Sequence, residues 1–282
     1  MAVAVSPGAI NMELSPGEIF EGEIKLLNPS LDDKSLNYTI KPAPMTFEDE
    51  FYDLDFEDKT DYSQIVDWIE VEEPTGTLFE HEEKIIKFRV NVPEDAPAGG
   101  QYASFLVSTN SSGSAGSESS GVSIKSRSQI AVLLYSTVAG ETRIEGKVLE
   151  NNISGFYLGR PITTSSFLSN TGNVHIPATY TLRIFPLFSD EEIYTNEESP
   201  IKNTVIPGTR LFSEQTWDET PKLGIFRIEQ EIDFGDLITV EKRLSVVCPI
   251  WFLVLVLAFL ASLILAAIER GLKRKKKKGK KK

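Results

Sequence analysis

Thiol and imidazole groups are almost missing from these 282 residues: there is one cysteine, Cys248, and there are two histidines, His81 and His175. That scarcity excludes a disulfide within the chain, zinc and haem sites of the usual kind, and cysteine-protease chemistry. No G-x-S-x-G, G-x-G-x-x-G, P-loop or H-E-x-x-H pattern occurs, so the common signatures of acyl transfer, nucleotide binding and metalloproteolysis are absent too. Basic residues are scarce everywhere but at one end. Ten of the 29 Lys and Arg fall in the last fourteen residues beside a single acid, which leaves 19 of them against 40 of the 41 acids in the rest. So acidic a body lacks the basic footprint that nucleic-acid binding needs. The expectation is a chain that is not an enzyme, with no cofactor and no metal.

Charge is absent from Val246 to Ile268, a run of 23 residues. As a helix it would be about 34 Å long, against a hydrocarbon core of about 30 Å. It reads as a transmembrane helix over 245–269. Trp251 lies near the body side, where an indole suits the headgroup layer, and Pro249 is expected in the first turn, where its missing N–H matters little. Cys248 is expected to face lipid as a small apolar residue. A polybasic tail over 270–282 follows, with Arg270, Lys273 and Arg274 nearest the membrane. By the positive-inside rule this end is cytoplasmic and the body extracytoplasmic, in a single-pass cell-membrane protein. The tail can also rest on anionic lipid. A body exported ahead of such an anchor needs a signal peptide, and Met1 to Ile10 has neither a basic n-region nor a long apolar h-region. The expectation is a chain trimmed at its start; the alternative is a tail-anchored tether whose body recruits cytosolic proteins.

No long segment outside the anchor carries a helical period. Alternation with period two is clear instead: Ile86, Phe88, Val90 and Val92; Tyr38 and Ile40; Tyr180, Leu182 and Ile184; Phe226 and Ile228. Turn clusters separate these runs, among them Ser15-Pro16-Gly17, Asn28-Pro29-Ser30, Pro97-Ala98-Gly99-Gly100, Asn170-Thr171-Gly172 and Pro207-Gly208. Short strands between regular turns predict an all-β fold of two tandem immunoglobulin-like β-sandwich domains, 1–139 and 140–244. An internal echo supports the division: Gly22 to Ile40 and Pro161 to Ile184 each read as strand, Asn-containing turn, strand.

The pairing of SPGEIFEGEIKLLNPS with NVPEDAPAGGQYASFLV resembles the first domain of the bacterial WxL-protein-interacting cell-surface family. FLSNTGNVHIPATYTLRI and IPGTRLFSEQTW are similar to the second domain of related bacterial surface proteins. The resemblance spans nearly the whole chain, through the C-terminal helix and basic tail, and rests on turn motifs. It implies a first domain that binds peptidoglycan and a second that binds protein partners at the cell surface, in a scaffold or adhesion role. A spacer subunit of a larger envelope assembly is a further alternative.

One segment falls outside the resemblance. Between Phe47 and Tyr62 stand Glu48, Asp49, Glu50, Asp53, Asp55, Glu57, Asp58 and Asp61, interleaved with Phe51, Tyr52, Phe56 and Tyr62. Oxygen ligands at spacing two suit calcium, but the EF-hand glycine is missing. The plainest reading is a solvated insertion between strands. As a partner-binding surface, its candidates are Phe51, Tyr52, Asp53, Asp55, Phe56, Asp58 and Tyr62, because aromatics among charges are what interfaces use. Asn110 to Gly121, rich in Ser and Gly, reads as a hairpin tip.

Overall fold

The computed structural model describes residues 3–29, 35–47, 50–51, 53–111, 127–159, 161–219 and 221–279. Tyr52, Glu48, Asp49 and the greater part of the Ser/Gly-rich hairpin tip lie outside them.

In chain order the first strands are β1 (Ala4–Ser6), β2 (Ala9–Leu14), β3 (Ile19–Leu27), β4 (Leu36–Pro44), β5 (Thr46–Phe47) and β6 (Leu54–Asp55). A 3₁₀ turn (Gln64–Trp68) leads into β7 (Ile69–Val71), β8 (Thr75–Leu78), β9 (Glu83–Asn91), β10 (Gly99–Ser111) and β11 (Arg127–Val138). They form a sheet ordered β1-β3-β9-β7 and a second ordered β2-β11-β10-β4-β8. Ile86, Phe88 and Val90 alternate inward from β9, and Tyr38 and Ile40 from β4, as the period-two pattern predicts. Phe88 meets Phe105 of the facing sheet edge-on at 4.9 Å between ring centroids. Gly22, opposite Phe88 in the β3–β9 register, makes room for that ring, since a Cβ there would come within 2.4 Å of it.

The second set is β12 (Gly146–Ile153), β13 (Phe156–Leu158), β14 (Ile162–Asn170), β15 (Ile176–Pro186), β16 (Tyr194–Thr195), β17 (Ile201–Val205), β18 (Arg210–Trp217), β19 (Gly224–Phe234) and β20 (Leu237–Cys248). One sheet is ordered β12-β14-β18; the other runs β13-β20-β19-β15, with β16 and β17 both paired to β15. Tyr180, Leu182, Ile184, Phe226 and Ile228 point into the space between them.

Among the described residues one α-helix, α1 (Ile250–Gly279), follows β20, and none of its apolar stretch Ile250–Arg270 is buried. Two sequence expectations are corrected here. Val246, Val247 and Cys248 are not helical but complete β20, paired to β19 through Val247 and to β13 through Cys248. Pro249, which stands between strand and helix, accepts the first helical N–H groups, from Phe252 and Leu253, rather than sitting inside the first turn. Cys248 is buried at the end of that strand, its thiol 3.5 Å from the Pro249 carbonyl, and does not face lipid.

Candidate functional site

The acidic segment is built into a seam where the two sets of sheets meet. Met45, Phe47, Tyr102, Tyr135 and Ile206 form a buried cluster there, drawing on β10 and β11 from one set and the turn before β18 from the other. Phe56 and Tyr62 pack against this cluster, together with Leu54. The Tyr102 amide donates to the Tyr62 carbonyl at 2.6 Å, and the Phe212 amide donates to the Glu50 carbonyl. Phe51 meets Phe212 edge-on at 5.6 Å, and Arg210 lies 3.9 Å from Glu50. All three described aromatic candidates, Phe51, Phe56 and Tyr62, therefore pack against residues or a cluster that the chain's second half contributes to.

The carboxylates behave differently. Asp55 turns back on its own segment, accepting from the amides of Glu57 and Asp58 at 2.8 and 3.2 Å. Such a local cap shapes a turn and occupies one acceptor site on each oxygen of that carboxylate. Asp53 and Asp58 are exposed, and Lys59 pairs with Asp67 at 2.7 Å. Among the described residues no group of three His, Cys, Asp or Glu side chains is placed to hold a metal ion. What the segment offers outward is an acidic rim around Phe51.

The seam also joins the turn before β10 to the turn before β15. The Gly100 amide donates to the Asn173 carbonyl at 2.6 Å. Asn173 accepts from the Arg143 amide at 2.6 Å and donates to the carbonyls of Glu141 and Ala98 at 2.9 and 3.4 Å. Gly99 has φ +112, and a Cβ there would meet the Asn173 carbonyl at 2.6 Å, so only glycine fits. Asn170 holds its own turn, donating to the carbonyls of Val174 and Val205. Beside it His175 packs against the rings of both Tyr102 and Tyr135, which also meet each other, with Nδ1 3.4 Å from the Tyr102 hydroxyl. Burial lowers the His175 pKa below the usual 6.5 and raises that of Tyr102. Sequence reading placed His175 in a turn and did not single out Tyr102, Tyr135 or Asn173; they lie far apart in the chain, and no local pattern joins them.

Strand edges are the other surfaces of interest. β2 covers only Leu133 to Val138 of β11, so the stretch from Arg127 to Val132 has β10 on one side and no described strand on the other. β7, β8, β12 and β18 also end their sheets. Of the anchor residues, Trp251 is exposed at the start of α1 and Arg270 closes its apolar stretch. The backbone of Lys273 and Arg274 continues the same helix.

No family model matches the chain, and no curated protein does. Among solved structures it is similar to the YadV chaperone, at 11% identity over 86% of this chain and 100% of that one, with a TM-score of 0.43. It is similar to the Escherichia coli chaperone DraB at 12% identity over 86% and 97% of the two chains, with a TM-score of 0.39. A chaperone–tip adhesin complex of the archaic Csu pili of Acinetobacter baumannii matches at 11% identity over 89% and 100%, with a TM-score of 0.38.

Proposed function

We propose that the chain is a single-pass membrane protein whose immunoglobulin-like body, outside the cell, is a binding scaffold for cell-wall polymer or other surface proteins. The observation that carries this reading is α1. A core helix of that hydrophobicity would be covered by the body, whereas none of the apolar stretch from Ile250 to Arg270 is buried. Basic residues crowd its far end, which favours a cytoplasmic tail. In this reading the two pairs of sheets are two domains, dividing near Val138 to Glu141. Binding is by strand edges, notably Arg127 to Val132 of β11, and by the acidic rim about Phe51, which favours neutral or basic partners.

The test is protease shaving of intact cells that carry the full chain, with detection of the C-terminal tail. The expected result is loss of the body and survival of a fragment the size of α1 and its tail. A body protected until lysis would reverse the topology and favour the tail-anchored tether. A pull-down with purified wall material and surface extracts then asks for the partner, and no capture from either would sink the binding role.

A further inference from the structure

We infer that the end of the second pair of sheets from which α1 departs is itself a lipid-contacting surface, with Phe156, Leu158, Phe188 and Leu223 entering the interfacial layer beside Trp251. This rests on the reading of α1 as a spanning helix.

The register brings these side chains to one end. Phe156 and Leu158 of β13 stand opposite Val246 and Cys248 of β20, and Gly224 of β19 stands opposite Val247, with Leu223 just before it. β15 finishes at the same end, where Pro186 faces Phe226 and the following turn carries Phe188. All are apolar and uncovered: Phe156 and Leu158 are each 49% exposed, Leu223 44% and Phe188 96%. Leu223, Lys222 and Gly159 line an open cleft of about 300 Å³ together with Pro249 and Trp251, so this end is continuous with the first turn of the helix.

The occupant follows from the connection. Only Pro249 separates the last residue of β20 from the first of α1. At about 3.3 Å per residue, the level of Cys248 and Leu158 lies within about 7 Å of the point where α1 begins. An interfacial layer reaching about 5–10 Å from the acyl boundary covers that distance. Tryptophan at such a level is the usual aromatic belt residue. Asp218, Glu219 and Asp190 in the adjoining loops keep the contact shallow, because carboxylates stay in water. Attraction to anionic lipid is therefore not what holds this end, and zwitterionic phosphatidylcholine, with no net charge, suffices. The consequence is a body held at a defined tilt on the membrane rather than swinging on a hinge.

Nitroxide accessibility measured on the full chain in phosphatidylcholine nanodiscs tests this. Single cysteines are introduced as L158C, F188C and L223C in a C248S background, which keeps a hydrogen-bond donor beside Pro249. I238C is the control: Ile238 is equally apolar and 63% exposed on β20, but ten residues before Cys248 and so about 33 Å away. S262C, in the middle of α1, reports the span. The expected result is a ratio of oxygen to nickel-chelate collision several-fold higher at 158, 188 and 223 than at 238, and highest at 262. Ratios at 158, 188 and 223 equal to that at 238, with 262 still lipid-immersed, would overturn the contact alone. A nickel-accessible 262 would overturn the spanning reading and this inference with it.

Discussion

Both pairs of sheets hold without a disulfide, and they do so by different means. The first encloses one continuous apolar cluster of 22 described residues, centred on Phe88 and Phe105. In the second the apolar side chains fall into two clusters, of nine and eight described residues. On three strands the inward positions between them are polar: Ile162 and Leu168 of β14 flank Thr164 and Ser166, Trp217 and Leu211 of β18 flank Gln215, and Ile228 and Ile232 of β19 flank Gln230. Thr164, Gln215 and Gln230 bond within this layer, whereas the buried Ser166 hydroxyl has no partner among the described residues. Trp217 Nε1 donates to Thr164 Oγ1 at 3.1 Å and Gln230 Nε2 to Gln215 Oε1 at 3.1 Å, while Gln215 Nε2 reaches Ser213 Oγ at 2.8 Å. An apolar core stabilises in proportion to area and tolerates repacking; a buried polar layer is stable only when its partners stay in register. The first pair is thus held by volume and the second by geometry.

Substituting the centre of the first core should have the largest effect. F88A removes a ring that is 1% exposed and packed against Phe105, and should destabilise by about 3–5 kcal/mol. Urea unfolding of the full chain in detergent micelles, read by hydrogen exchange at β9 and β10, checks this. A loss below about 1 kcal/mol would mean that the first core relaxes around the cavity and is not the tightly packed partner in the comparison.

In the second pair the corresponding cut is Q230L. It takes the shorter donor from Gln215 Oε1, leaving only the Thr164 hydroxyl at 3.5 Å in a buried site, and should cost about 1–3 kcal/mol. The double variant Q215L/Q230L removes both partners and should recover most of that loss. A double variant that loses as much as the sum of the singles would show that the layer acts through packing, and the contrast between the two cores would collapse.

Much of this contrast was legible as pattern, and some was not. The alternation in β9, β4, β15 and β19 marks which residues face inward, because a strand with one wet face must repeat every two residues. The end of β20 escaped that reading. Its outward residues Leu244 and Val246 are apolar, so the period disappears, and the run merges with α1 until Pro249 ends the ladder. The acidic segment was legible as composition alone. That Phe56 and Tyr62 turn toward Ile206, some 150 residues along the chain, depends on contacts that no local spacing encodes. The same holds for Gly99 and Asn173: each turn was visible, their meeting was not.

The seam shares features of both cores, a small apolar cluster edged by hydrogen bonds, so its variants should show smaller effects than either. N173A removes the acceptor of the Arg143 amide and two donors to carbonyls, at about 1 kcal/mol. Hydrogen exchange should quicken at Arg143 and Gly100 while the β9 and β19 amides keep their protection. Quickening throughout either pair of sheets would mean that the seam is part of that core.

The smallest effect is that of pH on the same seam. Burial beside Tyr102 and Tyr135 holds His175 below its usual pKa of 6.5, so the unfolded chain takes up a proton before the folded one does. Stability from this group is therefore complete above about pH 6.5 and is lost as pH falls from there through the lower folded value. The many carboxylates add their own dependence further down, so the informative quantity is the difference between the parent chain and H175F, which keeps a ring against both tyrosines. Unfolding midpoints of the two should converge as pH falls below about 6.5 if H175F starts less stable, or separate in favour of H175F if it starts equal. Parallel curves across that window would place His175 in contact with water. The seam would then be a wetter joint than its ring contacts indicate, closer in kind to the polar layer of the second pair than to the apolar core of the first.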